Sequence, residues 1–581
     1  MSPTLGDGVT ESLDNLRVAS LLSRQGLWLP KGQRKRGCSM GVPSHRSLTA
    51  ATITLLLACP VLLAQQNQKV FYGPPQFVTL PIVERSMPAT LVNGHQVFVP
   101  TVANEKITNA PPSGNPPGGG GGHGGGSTPP PDLGSPGAVV PSTGGCFSNS
   151  TTNVDATCGS DSYQGEPMLM NNATHTALFG AENDIYPGNC SSSAGDGTFG
   201  DCGLSTTYST DGGASWQRFK ISRTWGGHTY LIDFDPSVGV DSQGRTFVAF
   251  GFSDSSGPSG MGVVLGVPDV TKPGGVNWTK TNPISLNGSS TFDDKMWIAA
   301  DANASSPNKD RLYVAWDRNK GFNQILEVSF SSDQGQTWSS PKKINDGTTS
   351  FERVIYAFPA VAPNGTVYVL WLDYARNIIF MDKSTNGGVS WGTDVAVATT
   401  HIGFGTDIGC NGGRSMTPAP QMAIDSSGAI YVAYADQPAG PGNNYNVYVT
   451  KSTNGGTNWS TPQLVTTASG HQYNPAIAID SLGHVNVSYL DRRDDSADCR
   501  TNTFLSRFNS DLTSAAADAN VTDADSDFDG NPNGPGDYSG LATVGSTAHP
   551  YFSDHRDANT AGDNTAGTID GGFEIYTAAI P

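Results

Sequence analysis

Two loops of this 581-residue chain are richer than their counterparts in chemically versatile side chains. YLDRRDDSADCR (489–500) presents Asp491, Arg492 and Arg493, and FSDHRDAN (552–559) presents Asp554, His555 and Arg556. Guanidinium groups grip carboxylates in a fork, and a carboxyl group held among cations is suited to general acid or base work. Arg353 in SFERVIYAFPAV and Arg414 in GGRSMTPAP add two further cations, and Tyr473 and Tyr551 add phenols. The catalytic candidates are therefore Arg353, Arg414, Arg492, Arg493, Asp491, Asp554 and Tyr551. The plainer alternative is that these groups form surface salt bridges and pin loops. No spacing singles out a Tyr/Glu pair.

A second set of acids recurs with the period of the chain. Glu182, Asp254, Asp317, Asp373, Asp436, Asp491 and Asp554 each stand near the end of a strand-like run, with intervals of 63, 56, 63, 55 and 63 residues from Asp254 onward. Such spacing places them in a ring, as turn caps that tie neighbouring units together or as acceptors for a cation or for sugar hydroxyls. With His555 and Arg556, the acids Asp254, Asp317, Asp373 and Asp436 define an expected ligand face. DADSDFDGNPNGPGDYSG (523–540) adds a possible calcium site: Asp525, Asp527, Asp529 and Gly530 match the opening of a Ca²⁺ loop, although Gly536 stands where its closing Glu is expected. A solvated acidic loop is the other reading.

What positions these residues is a repeat. STDGGASW (209–216) returns as SSDQGQTW (331–338), STNGGVSW (384–391) and STNGGTNW (452–459). Trp216, Trp278, Trp338, Trp391 and Trp459 follow at intervals of 62, 60, 53 and 68 residues, Trp278 belonging to the degenerate copy PGGVNW. Between copies lies a second phrase, a tight turn and then a strand: DSQGRTFVAFGF, KDRLYVAW, PNGTVYVLW, DSSGAIYVAY and DSLGHVNVSY. Looser copies at the two ends make seven units of four strands. Radial repetition of such units gives an all-β, seven-bladed β-propeller, or six blades if a terminal unit is incomplete. The last unit lacks an outer strand, which the segment around 144–155 is expected to supply. The B–C and D–A loops then form the ligand face, and the eight-residue phrase is a structural hairpin clip.

The ends and the composition bound the rest. A formal charge of −18 excludes nucleic acid as a partner. Residues 40–65 read as a signal peptide, so 1–39 is expected to be a misassigned extension with Met40 as the start. The LLAC ending at Cys59 is a weaker lipoprotein signal. A short β-like segment (66–104), with an Asn-Gly hairpin signal, precedes a Gly/Pro-rich linker (105–143), and the propeller fills 144–581. No transmembrane span is expected, and the protein belongs outside the cytoplasm, secreted or periplasmic. Six cysteines remain after the signal, an even number that reads as three disulfides: by spacing Cys146–Cys158 and Cys190–Cys202, which leaves Cys410–Cys499.

The repeated phrases resemble the Asp-box, or bacterial neuraminidase repeat, of sialidase-like propellers over residues 160–581. That resemblance implies an arginine triad for a substrate carboxylate, an Asp acid/base and a Tyr nucleophile paired with Glu. It also implies an Arg-Ile-Pro phrase before the first box, where this chain has GEPMLM with Glu166. An acid there repels a carboxylate. Three functions follow: a glycan- or cell-surface-binding propeller, an exo-acting sialidase-type glycoside hydrolase, and a non-catalytic assembly scaffold.

Overall fold

In the computed structural model the described residues are 153–157, 163–172, 176–185, 202–254, 258–272, 275–320, 323–347, 353–403, 408–410, 416–438, 444–528, 534–555 and 574–581, with the short strands Thr90–Val92, His95–Val97 and Gly137–Val140. Every regular element among them is a strand, and none is a helix long and apolar enough to cross a membrane. Thr90–Val92 pairs with His95–Val97 around Asn93-Gly94, the turn sequence expected to close a two-residue hairpin.

Seven antiparallel sheets follow one another as blades. Their inner strands are Tyr163–Asn171, Ile232–Val240, Phe292–Ala300, Val354–Val361, Gln421–Ile424, Gln472–Ile479 and Gly540–Val544, numbered here as blades 1 to 7. The seventh blade is completed by Val154–Asp155, which pairs with Glu574–Thr577, so the outer strand comes from the segment the sequence pointed to. Gly137–Val140 adds a fifth strand to blade 1 by pairing with Gln217–Ile221. The core lies between blades, where aliphatic and aromatic faces of consecutive sheets meet.

The eight-residue phrase is the hairpin turn before the outer strand. Asp211 Oδ1 accepts from Ser209 Oγ (2.7 Å) and from the N–H of Ser215 (2.9 Å), while Ser209 Oγ accepts the N–H of Gly213 (2.8 Å). The same bonds recur at Ser331/Asp333, Ser384/Asn386 and Ser452/Asn454. Gly213 has φ 92°, which a side chain would disfavour. Trp216 is buried and donates to Gly213 O.

The inner strands share one irregularity. Pairing with the next strand slips by one residue in blades 1, 2, 3, 4 and 6. The first slipped residue has positive φ each time: Glu166, Asp235, Lys295, Tyr356 and Asn474; Ala419, just before the inner strand of blade 5, matches them. Four of the six precede proline, which cannot donate to the ladder and so suits a bulge. These bulges turn selected side chains toward the propeller axis.

Candidate functional site

The register corrects the expected ring of acids. Asp373, Asp436, Asp491 and Asp554 do occupy one equivalent position, two residues beyond the side chain opposite the bulge. Blade 1 places Asp184 there, with Glu182 at the position held elsewhere by Phe250, Trp316, Trp371, Tyr434, Tyr489 and Phe552. Blades 2 and 3 place Phe252 and Arg318 there, so Asp254 lies two residues later and Asp317 one residue earlier, on the opposite face of its sheet. Spacing alone missed this because the units differ in length, and a shift of a single residue along a strand changes which face a side chain meets.

Most of the ring acids cap or tie loops. Asp373 accepts from the N–H groups of Ala375 and Arg376 and pairs with the Arg376 guanidinium at 2.7 Å. Asp436 holds His401 through both backbone N–H (2.9 Å) and Nδ1 (2.7 Å), and Asp254 pairs with His228 Nε2 at 2.7 Å. Asp491 pairs with Arg493, and Asp554 accepts from Ser526 Oγ at 2.7 Å. Their outer partners remain open to water: the side chains of His401, Arg376 and His228 are 55%, 47% and 39% exposed.

The arginines of the richer loops are engaged by the fold. Arg492 is fully buried and donates to the carbonyls of Ile408, Gly409, Cys410 and Asp498. Arg493 bridges Asp491 and Asp518 with its guanidinium over the Phe504 ring. Cys410 and Cys499 form the expected disulfide beside Arg492. Arg353 opens the inner strand of blade 4, its carbonyl accepting from Tyr374 N–H. Tyr473 is buried with its hydroxyl 3.0 Å from Thr501 Oγ1. His555 Nδ1 meets the carbonyl of Asp527, and Asp525 accepts from Asn502 with Arg500 at 4.0 Å. Arg414, Arg556, Asp529, Cys146, Cys158 and Cys190 lie outside the described residues, as does the Cys202 side chain. Among the described residues no three carboxyl, imidazole or thiol groups are grouped to hold a metal ion.

The structure does assemble a Tyr/Glu pair that spacing did not reveal. Tyr551 donates to Glu182 Oε2 at 2.8 Å, with Thr207 Oγ1 at 2.5 Å from the phenol and Ser205 Oγ on the other carboxylate oxygen. Both side chains are fully buried between blades 7 and 1, where Tyr551 stacks on Trp216. Arg218 and Lys220 close the network on Asp184.

A larger constellation sits at the axis, around a residue the sequence reading did not single out. Lys295 Nζ lies 2.6 Å from Asp537 Oδ2, 3.1 Å from Asp235 Oδ2 and 3.3 Å from Glu166 Oε1, all four side chains being sealed from solvent. Asn183 donates to Glu166 and accepts the N–H of Asp235, and the N–H of Asp537 donates to Glu166. Tyr538 covers the ammonium at 5.5 Å, packs edge-on against Trp297 and donates to Pro236 O. Asn474 and Gln421 bind Gly536 O and Ser539 O. Side chains and backbone from blades 1, 2, 3, 5 and 6 thus converge on residues 536–539, at the start of the inner strand of blade 7. Gly536 (φ 86°) is required here, since a Cβ would stand 2.7 Å from the Glu166 nitrogen.

Burial sets the protonation of this region. Burial, then the charge of Asp235, pushes the Glu166 carboxyl well above its ordinary range; burial pushes Asp235 to about 6 against the pull of Lys295. Burial works against the Lys295 charge, but four surrounding carboxyls outweigh it and hold the ammonium well above the usual amine range. Burial lifts Glu182 to about 7 and Asp382 and Asp394 to about 6. A carboxyl whose folded value is raised stabilises fully below its unfolded value and loses that contribution as pH climbs through the folded one. His549, lowered by burial to about 4, acts oppositely and costs stability as pH falls below 6.5. The carboxyls outnumber it. Thermal unfolding by calorimetry is expected to give a midpoint several degrees higher at about pH 5.5 than at about pH 8, with Glu182→Gln flattening the slope.

No protein-family model matches the chain, and no curated protein matches it. Solved structures similar to it include a protein of unknown function from Dyadobacter fermentans (TM-score 0.39, 10% identity, 74% of this chain and 97% of that one). A sialidase from Streptococcus pneumoniae aligns at TM-score 0.38 and 12% identity over 74% of this chain and 70% of that one. An α-L-arabinanase from Penicillium chrysogenum aligns at 0.40 and 12% over 59% and 94%. The seven-bladed architecture itself rests on the strand pairing described above.

Proposed function

We propose that this protein is an exported, sialidase-like Asp-box propeller that binds a glycan or another extracellular ligand at the rim of its loop face without cleaving it. The observation that carries this reading is how the candidate cations and acids are engaged: residues 536–539 and the sealed Lys295 cluster tie blades 1, 2, 3, 5 and 6 together, and Arg492 is taken up by backbone carbonyls. What stays accessible is the rim, where His401–Asp436, His228–Asp254 and Arg376–Asp373 offer paired donors and acceptors suited to hydroxyl-rich ligands. The Cys410–Cys499 disulfide is consistent with export. Calcium at Asp525, Asp527 and Asp529 is part of the proposal and would order the loop leading into blade 7.

A glycan-binding screen run beside hydrolysis of fluorogenic sialosides and arabinosides, each with and without calcium, tests this. Binding without turnover is expected, and His401→Ala with Arg376→Ala should weaken it. One observation favours a second reading as an exo-acting glycosidase: the Tyr551–Glu182 contact has the residue types of a sialidase nucleophile pair. Turnover lost in Tyr551→Phe would establish that reading and overturn the first.

A further inference from the structure

The axial cluster has the parts of a covalent cross-link. A primary amine touches a carboxyl group, a second carboxyl group contacts both partners, and aromatic rings with buried backbone exclude water. Lys295 Nζ and Asp537 Oδ2 are 2.6 Å apart; Glu166 Oε1 lies 3.3 Å from Nζ and accepts the N–H of Asp537 at 3.3 Å. All three side chains are sealed from solvent. We propose that Lys295 and Asp537 become joined by an amide bond, an intramolecular isopeptide cross-link promoted by Glu166.

The step needs no co-reactant. Glu166 takes one proton from the Lys295 ammonium, the free amine lone pair adds to Asp537 Cγ, and the Nζ–Cγ bond forms. A carboxyl oxygen leaves Asp537 with the proton returned by Glu166 and a second proton from Nζ, so one water departs and Glu166 is regenerated. The carboxyls that hold the ammonium charged are also the bases in contact with it, and condensation removes two opposite charges from a sealed interior. Reacting groups held in contact in a dry site gain a large effective concentration. Asp235, 3.1 Å from Nζ, is a second proton acceptor. The cross-link would tie blade 3 to the segment leading into blade 7 and close a loop far longer than that of the Cys410–Cys499 disulfide.

The test is the mass of the full chain, reduced and denatured after purification. The expected wild-type mass is one water (about 18 Da) below that of the processed sequence, with a tryptic fragment joining the residues around Lys295 and Asp537. Lys295→Arg keeps the cation and should return the full mass; Glu166→Gln should slow the loss. Full mass in folded wild type overturns the proposal. So does a water loss that persists in Lys295→Arg, because Asp529-Gly530 can lose water on its own by cyclising. If Lys295→Arg does not fold, the wild-type fragment map decides alone.

Discussion

Replacing Lys295 by methionine is expected to cost about 3–5 kcal/mol of stability, the typical penalty for stranding buried charge. The methylene stem of methionine fills much of the same space, so packing alone would cost little. Measured against the chain with Lys295 unlinked, the loss arises because Glu166, Asp235 and Asp537 would face one another with no cation between them. Those carboxyls can escape only by taking up protons, so the defect should shrink as pH falls to about 5 and grow toward about pH 8. Denaturant midpoints of wild type and variant at the two pH values measure this. A pH-independent loss below about 1 kcal/mol would mean that the cluster is not held by charge. Lys295→Arg, which keeps the cation, should retain much of the stability and so separates the charge from the amide bond.

That cluster also marks how far the sequence could be read. The blades were legible because their signals are local: Ser-x-Asp-x-Gly with a following Trp marks a hairpin within eight residues, and five clear and two looser copies of a turn-strand phrase give seven units, with six left open until the strand pairing shows Val154–Asp155 completing the last blade. The Cys410–Cys499 pair was legible by elimination. The axial site joins Glu166 to Asp537 across 371 positions, and no local pattern reports that approach. A weaker signal was present in the recurrent acid, amide or small residue before proline: Glu166-Pro167, Asp235-Pro236, Ala419-Pro420 and Asn474-Pro475. Read as bulges, these would have pointed four side chains at the axis. Lys295 would still have escaped notice, because Met296 follows it. In the sequence Glu166 stands out only as an acid where the resemblance implies an arginine. In the structure its role is to hold the Lys295 and Asp537 groups.

Closure of the ring carries the second large effect. A chain beginning at residue 158 is expected to lose cooperative folding, whereas one beginning at residue 144 should unfold close to the full-length midpoint. The difference lies in residues 153–157. Val154–Asp155 supplies the last strand of blade 7, Asn153 binds Val521 O and the N–H of Asp523 in blade 6, and Thr157 joins Ile575 N–H to Arg218 of blade 1. Ala156 is buried among Leu169, Leu178, Trp216 and Ile575 of the two blades it joins. In a ring each blade is covered by both neighbours, so opening one seam exposes two apolar faces at once, at roughly 25 cal/mol for each Å² uncovered. This seam is also the polar one, with Glu182 in place of the aromatic found in six other blades, and its buried carboxyl depends on Tyr551 and Ser205 staying in contact. Water admitted there would ionise Glu182 rather than merely wet a hydrocarbon surface. Size-exclusion and thermal-unfolding profiles of the two truncated chains decide the matter: equal midpoints would mean that the central cluster, not the seam, closes the ring.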